Sequence, residues 1–136
     1  MLYPAKFDLE DGCYVVTFRD IPEALTQGYS FDEAKEMSLD ALVTALDFYF
    51  DDQKTVPVPS PAQEGEHLIE LPISIWSKIL LLNTMLEARI SQADLAKQMQ
   101  KSRQEMQRII DLNHNTKIDT IVDALKILGK NPTLSI

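Results

Sequence analysis

Two serines eleven residues apart, Ser91 and Ser102, constrain this chain more than any other feature. Each precedes a short amphipathic run, QADLAKQM and RQEMQRIIDL, and Glu105 follows Ser102 by three positions, the spacing of a capping box. Within the runs Leu95, Met99, Met106 and Ile109 are the apolar positions, and Ala96 is small where two helices must cross. Two short helices joined by a tight turn match the geometry of a helix–turn–helix.

The flanking sequence extends this into an all-α domain. LPISIWSKILLLNTML, residues 71 to 86, predicts a mostly apolar helix carrying Ile75, Ile79, Leu82 and Leu86, with Ser74 as its cap. Thr116, with Asp119 three residues on, is the expected cap of a helix that ends at Gly129. Arg103, Gln104, Gln107 and Arg108 are left for the outer face of the third helix. These residue types read base edges, Arg bidentate to guanine and Gln to adenine. Ser102 starts that helix and is counted with the DNA-facing set. Gln92, at the start of the second helix, is placed to offer its amide and a backbone N–H to a phosphate. One position departs from the usual pattern: Gln100 stands where the turn normally has glycine, and Lys101 follows. A left-handed non-glycine residue costs about 1 kcal/mol, so the turn is expected to survive with reduced stability.

DNA is a polyanion gripped by cations, yet the chain has a formal net charge of −8. The imbalance is local. Residues 1 to 71 carry four basic residues (Lys6, Arg19, Lys35, Lys54) against fifteen acidic ones, a net of −11; residues 72 to 136 carry nine against six, a net of +3. Residues 89 to 117 alone hold six basic and three acidic residues. Such asymmetry predicts two parts with different partners.

The acidic half has a different period. Tyr3, Ala5, Phe7 and Leu9 alternate with polar positions, Glu10-Asp11-Gly12 supplies a turn, and Tyr14, Val16 and Phe18 form the facing apolar row of a hairpin. LTQGY at 25 to 29 is a candidate third strand and HLIEL at 67 to 71 a fourth. Between them Ser30 and Glu33 form a capping box for one long helix to about residue 53, with Ala34, Met37, Ala41, Leu42, Ala45, Phe48 and Tyr49 as its apolar stripe. VPVPSP at 56 to 61 is an extended connector. The expected organisation is α+β: an N-terminal domain over residues 1–71, an antiparallel sheet plus long helix, and an all-α helix–turn–helix domain over residues 72–136.

Several function classes lose support. The carboxylates of the acidic half show no spacing that gathers them into a catalytic pair or metal site, so they read as a solvated face or a surface for a basic partner. With His67 and His114 the only histidines and Cys13 the only cysteine, neither a zinc cluster nor an internal disulfide is expected. No catalytic residue, metal or cofactor is assigned. No apolar run is long enough to span a bilayer, and the first residues lack the pattern of a secretory signal, so a cytoplasmic location is expected.

The ordered set Tyr3-Pro4-Ala5, Gly12, Tyr14, Val16, Phe18, Asp20-Ile21-Pro22, Thr26, Gly28, Glu33-Ala34 and Pro57-Val58-Pro59-Ser60 resembles the HicB antitoxins. The C-terminal half resembles the Xre/Cro-type helix–turn–helix that many of them carry. Glu23-Ala24 departs from the Pro-Gly frequent after Asp-x-Pro in that family. The resemblance implies a degraded ribonuclease-H-like N-terminal fold without the acidic metal-binding set. It also implies a small basic HicA ribonuclease toxin as partner, bound by the acidic half through residues the sequence does not single out. The C-terminal domain would repress the operon. Apart from the resemblance, halves of 71 and 65 residues are marginal alone and a lone helix–turn–helix reads too few base pairs, so a homo-oligomer of at least two chains on palindromic operator DNA is expected. Two other readings stay open at this point: a dimeric repressor whose N-terminal domain senses a ligand or another protein, and a metal-dependent nuclease built on residual acidic residues.

Overall fold

A computed structural model describes residues 1–136 as an α+β chain of two compact units. The first comprises Met1–Tyr49 and Val56–Pro72; the second comprises Phe50–Thr55 and Ile73–Ile136.

The first unit is a four-stranded antiparallel sheet with a helix. Strand β1 (Leu2–Glu10) pairs with β2 (Cys13–Thr17) through a two-residue turn, β2 pairs with β3 (Leu25–Gly28), and β4 (Glu66–Glu70) returns to the other side of β1. The strand order is therefore β3-β2-β1-β4. Asp11 and Gly12 both take positive φ, 50° and 76°. Two consecutive left-handed residues are what a primed hairpin turn needs to match strand twist, and the Asp-Gly pair supplies them. Tyr3, Ala5, Val16 and Ile69 are buried, whereas Leu9, at the hairpin end of its row, is exposed.

Helix α1 (Phe31–Asp51) starts at Ser30, whose Oγ accepts from the Glu33 N–H at 3.1 Å. The return arm of the capping box lands one residue early: Glu33 Oε1 accepts from the N–H of Tyr29, not Ser30. The expected apolar stripe is shifted as well. Met37 and Phe48 are exposed, and Ser38, Leu46 and Phe50 are buried in their place beside Ala34, Leu42, Ala45 and Tyr49. Ala34, Ser38, Leu42 and Ala45 follow the four-, four- and three-residue steps of one helix face; the small Ser38 is admitted because its hydroxyl donates to the Lys35 carbonyl at 2.6 Å. The segment after the helix is strapped down. Val56 is buried, the Pro57 carbonyl accepts from the Tyr3 hydroxyl at 2.7 Å, and Ser60 donates through its N–H and its hydroxyl to Asp20.

The second unit holds α2 (Ile73–Ala88), α3 (Gln92–Met99), α4 (Arg103–Ile110) and α5 (Ile118–Ile127). Ile79, Leu81, Leu82, Met85, Leu95, Met106, Ile109, Ile121 and Leu125 form its core, and Ala96 is buried with them. Two expected caps do other work. Ser74 lies inside the first turn of α2, where its carbonyl accepts from the Ser77 hydroxyl. Thr116 does not cap α5, whose N-cap position is Lys117 and carries no side-chain bond. The hydroxyl of Thr116 instead accepts from Lys78 Nζ.

Candidate functional site

Helices α3 and α4 are positioned by their caps and by the turn between them. Ser91 Oγ accepts from the Asp94 N–H and Ser102 Oγ from the Glu105 N–H, each at 3.1 Å, so both helices begin on a satisfied donor. Between them Gln100 sits at φ 56°, ψ 43° and ends α3, with its own N–H donating to Lys97 O and the N–H of Lys101 to Ala96 O. This is the left-handed stop that glycine usually provides. Glutamine occupies it here, as the sequence pattern predicts.

The turn sets the two helices so that their polar residues converge. Gln92, Arg103 and Gln107 line a single open groove of about 610 Å³ with Lys97 and Lys101. Met106, buried beneath, forms part of its floor. Ser102 spends its hydroxyl on the cap and is not among the lining residues. Gln104 and Arg108 are exposed on the adjoining face of α4, outside the groove lining. Three of the six candidate residues are thus brought together, two flank them, and one holds the helix start. With Gln53 also in its lining, this open groove carries three amides and three cations, hydrogen-bond donors of the kinds that anions and polar ring edges accept.

One residue that supports this surface escaped the sequence reading. Lys78, in the middle of α2, is almost wholly buried, at 2% exposure. Its Nζ donates to the carbonyls of Asp111 at 2.5 Å, His114 at 2.6 Å and Arg108 at 3.4 Å, and to Thr116 Oγ1 at 2.9 Å; that hydroxyl donates onward to Arg108 O. The ammonium therefore caps the C-terminal end of α4, where the helix dipole favours a cation, and fastens the loop that leads to α5. Burial pulls the Lys78 pKa below that of an ordinary lysine, while the nearby Asp111 carboxylate pulls it up. A signal was present in the sequence: Lys78 lies three residues after Ile75 and four before Leu82, on the apolar stripe itself. A charge there is either misplaced or paired.

In the first unit, Arg19 holds Glu66 through Nε and Nη2 at 3.0–3.2 Å and donates from Nη2 to the Pro61 carbonyl at 2.5 Å. Its pKa is raised chiefly by the Glu66 bond, and that same bond, with the N–H of Gln63, holds the Glu66 carboxyl below the usual range. These groups pin the 61–66 loop to the strand end. No three of the acidic, histidine or cysteine side chains gather at one point in a way that would hold a metal ion. No helix is long and apolar enough to cross a membrane.

Comparison with known proteins bears on both units. A family model described as HicB-like antitoxin of bacterial toxin–antitoxin system matches residues 2–80. Antitoxin HicB 2 of Photorhabdus laumondii is 53% identical over 131 residues, covering 96% of this chain and 93% of the relative. Antitoxin HicB of Escherichia coli K12 is 48% identical over 135 residues, covering 98% of each chain. Antitoxin HicB of Pseudomonas fluorescens is 33% identical over 135 residues, covering 98% of this chain and 92% of the relative. These relatives are antitoxins, not enzymes.

Proposed function

The chain belongs to the HicB-like antitoxin family, and from that premise we propose that it neutralises a cognate HicA-type ribonuclease toxin and represses its own operon. Its family makes it the antitoxin of a toxin–antitoxin pair and not an enzyme. The finer reading assigns the two activities to the two parts, residues 1–71 to the toxin and residues 72–136 to operator DNA. The N-terminal sheet and helix are taken as a degraded ribonuclease-H-like fold that has kept shape and lost chemistry. Covering a basic active site needs no catalysis, because steric exclusion of RNA suffices. Complementary charge speeds the encounter.

The observation that carries the DNA-binding half is the groove of Gln92, Lys97, Lys101, Arg103 and Gln107 between two capped short helices. In this reading α4 is a recognition helix in a Xre/Cro-like helix–turn–helix. Arg103, Gln104, Gln107 and Arg108 face base edges, Gln92 meets a phosphate, and Ser102, as the cap of α4, sets the helix start at the DNA. One such unit spans too few base pairs for useful specificity, so a dimer or higher oligomer on a palindrome follows. Light scattering at micromolar concentration tests this, and a monomer contradicts it.

The decisive experiment separates the activities. Arg103→Ala or Gln104→Ala should weaken operator binding by about 1–3 kcal/mol per lost bidentate contact and leave toxin neutralisation intact. A gel-shift titration with unchanged operator affinity rejects the assignment of α4. For the other half, residues 1–71 co-expressed with the toxin should restore growth and co-purify with it. Continued toxicity from a folded truncation places the interface elsewhere. Toxin association should slow with added salt, since charges beyond about 8–10 Å are screened near physiological ionic strength.

A further inference from the structure

β4 is an outer strand of the sheet, and the fold leaves its far edge unpaired. The bond from the Leu71 N–H to the Met1 carbonyl continues the β1–β4 register, in which Leu2 lies opposite Glu70. In an antiparallel ladder the bonded pairs alternate, so Tyr3–Ile69 and Ala5–His67 are bonded pairs. The N–H and C=O of Leu68 and Glu70 then point outward, away from β1. Exposed edges of this kind are normally blunted with charge, proline or a bulge. β4, EHLIE, has no proline and no bulge, its two charges are both negative, and Leu68 between them is 44% exposed.

What lies beside the edge favours one kind of occupant. A groove of about 710 Å³ runs between β4 and α1, lined by Leu2, Leu39 and Leu68 together with the carboxylates of Asp32, Glu36 and Glu70, against one cation, Lys35. At the other end of the strand His67 joins a ring cluster. Its ring packs 5.3 Å from Phe7 and 5.0 Å from Phe31, which stacks in turn on Phe7 at 4.9 Å and meets Tyr14 edge-on at 5.8 Å. The cluster ties β4 to the start of α1, so the edge is held in its extended form before anything binds. Preorganisation of that kind lowers the cost of association.

We propose that this edge is the docking strand for an extended, basic segment of a partner protein, which adds to the sheet as a fifth strand. Main-chain bonds to Leu68 and Glu70 hold it, and its side chains fall alternately to the two faces: those on the α1 side meet Leu39, Asp32 and Glu36, and those on the other side meet Leu2, Leu68 and Glu70. This is strand addition, in which backbone bonds supply affinity and pockets for alternate side chains supply specificity. A second copy of the chain fits poorly. Antiparallel self-pairing centred on Leu68 sets Glu66 of one copy opposite Glu70 of the other, twice, and like charges directly opposed are destabilising. Arg19 compensates only Glu66. The inference rests on the antitoxin reading, in which the partner is the toxin.

The test uses the full-length chain co-expressed with the product of the reading frame adjoining its gene. Leu68→Pro removes an outward N–H while leaving the bonds to β1, and should weaken binding at least about tenfold. Leu68→Ala keeps that N–H and should lose much less. Glu36→Lys with Glu70→Lys, both at exposed positions, should weaken binding by a similar factor and flatten its salt dependence. Should Leu68→Pro lose its cooperative melt, the double charge reversal decides alone. A wild-type chain that binds while the Pro variant and the double reversal bind equally well overturns the edge and leaves the antitoxin reading standing. A wild-type chain that does not bind the adjoining product overturns both.

Discussion

The ammonium of Lys78 lies 2.9 Å from the hydroxyl of Thr116, and that hydroxyl lies 3.2 Å from the Arg108 carbonyl. Three segments distant in sequence are joined by this chain of bonds. A threonine that looks like a helix cap in sequence is used to close the end of α4, and α5 begins uncapped.

Replacing Lys78 by Met keeps the length of the side chain and removes every one of its bonds. The carbonyls of Asp111 and His114 lose a charged donor, and bonds to charged groups contribute about 1.5–3 kcal/mol. Urea unfolding should show a loss of about 2–3 kcal/mol, and Thr116→Val a smaller one. The double variant should lose less than the sum of the two, because the residues share one network. Strict additivity would show that the two act independently.

Gly28 is pressed against the start of α1. A Cβ there would lie 2.5 Å from the Ala34 nitrogen and 2.7 Å from its Cα. Gly28→Ala should therefore cost about 1–3 kcal/mol through overpacking. The clash is with backbone, so Ala34→Gly in the same chain should not rescue it. Recovery of the wild-type melting temperature in the double variant would refute this account.

Gln100 ends α3 in the left-handed region at φ 56°. Gln100→Gly removes the steric cost at this site and should raise stability by about 0.5–1 kcal/mol, part of the gain being offset by the entropy of glycine in the unfolded chain. The check is the thermal melt of the full chain. A fall in melting temperature would mean that the glutamine side chain has a stabilising contact of its own.

Acid should loosen the 61–66 loop through Glu66. Its folded pKa lies below the ordinary value of 4.5, held down first by Arg19. A depressed carboxyl contributes stability that is fully present above the unfolded pKa and is lost as pH falls through the folded one. Stability should thus decline below about pH 4.5, and Glu66→Gln should lack that component of the decline. An unchanged acid profile in the variant would exclude it.

Alkali acts through two tyrosines. Burial pushes Tyr3 up to about 12, helped by Asp20 and Tyr49; burial and the bond to Glu23 push Tyr49 to about 12. A phenol with a raised pKa stabilises the fold below the unfolded value of 10.0 and ceases to do so as pH climbs toward 12. Tyr3→Phe should remove one late step from the absorbance titration of the phenolates. Retention of every step in that variant would contradict the assignment.

Much of this molecule is decided locally and can be read along the chain. Asp11-Gly12 specifies the hairpin because few residue pairs tolerate two left-handed conformations in succession. Ser30, Ser91 and Ser102 start helices because each hydroxyl reaches an N–H three residues away. The half-and-half charge, −11 against +3, needs no coordinates at all. The polar set Gln92, Arg103, Gln104, Gln107 and Arg108 follows from subtracting the apolar positions of two short helices.

What the chain could not declare on its own depends on contacts between residues distant in sequence. Met37 and Phe48 are expected inside and lie outside, because the inward face of α1 is set by the sheet it packs on, where Phe31 meets Phe7 of β1, Tyr14 of β2 and His67 of β4. Thr116 carries a capping pattern as good as that of Ser102, and only the arrival of Lys78 from thirty-eight residues away diverts its hydroxyl. Which candidate residues share one groove, and which strand edge stays open, were likewise settled by packing. Hydrogen-bonding capacity is written into each residue; the partner that claims it is chosen by the fold.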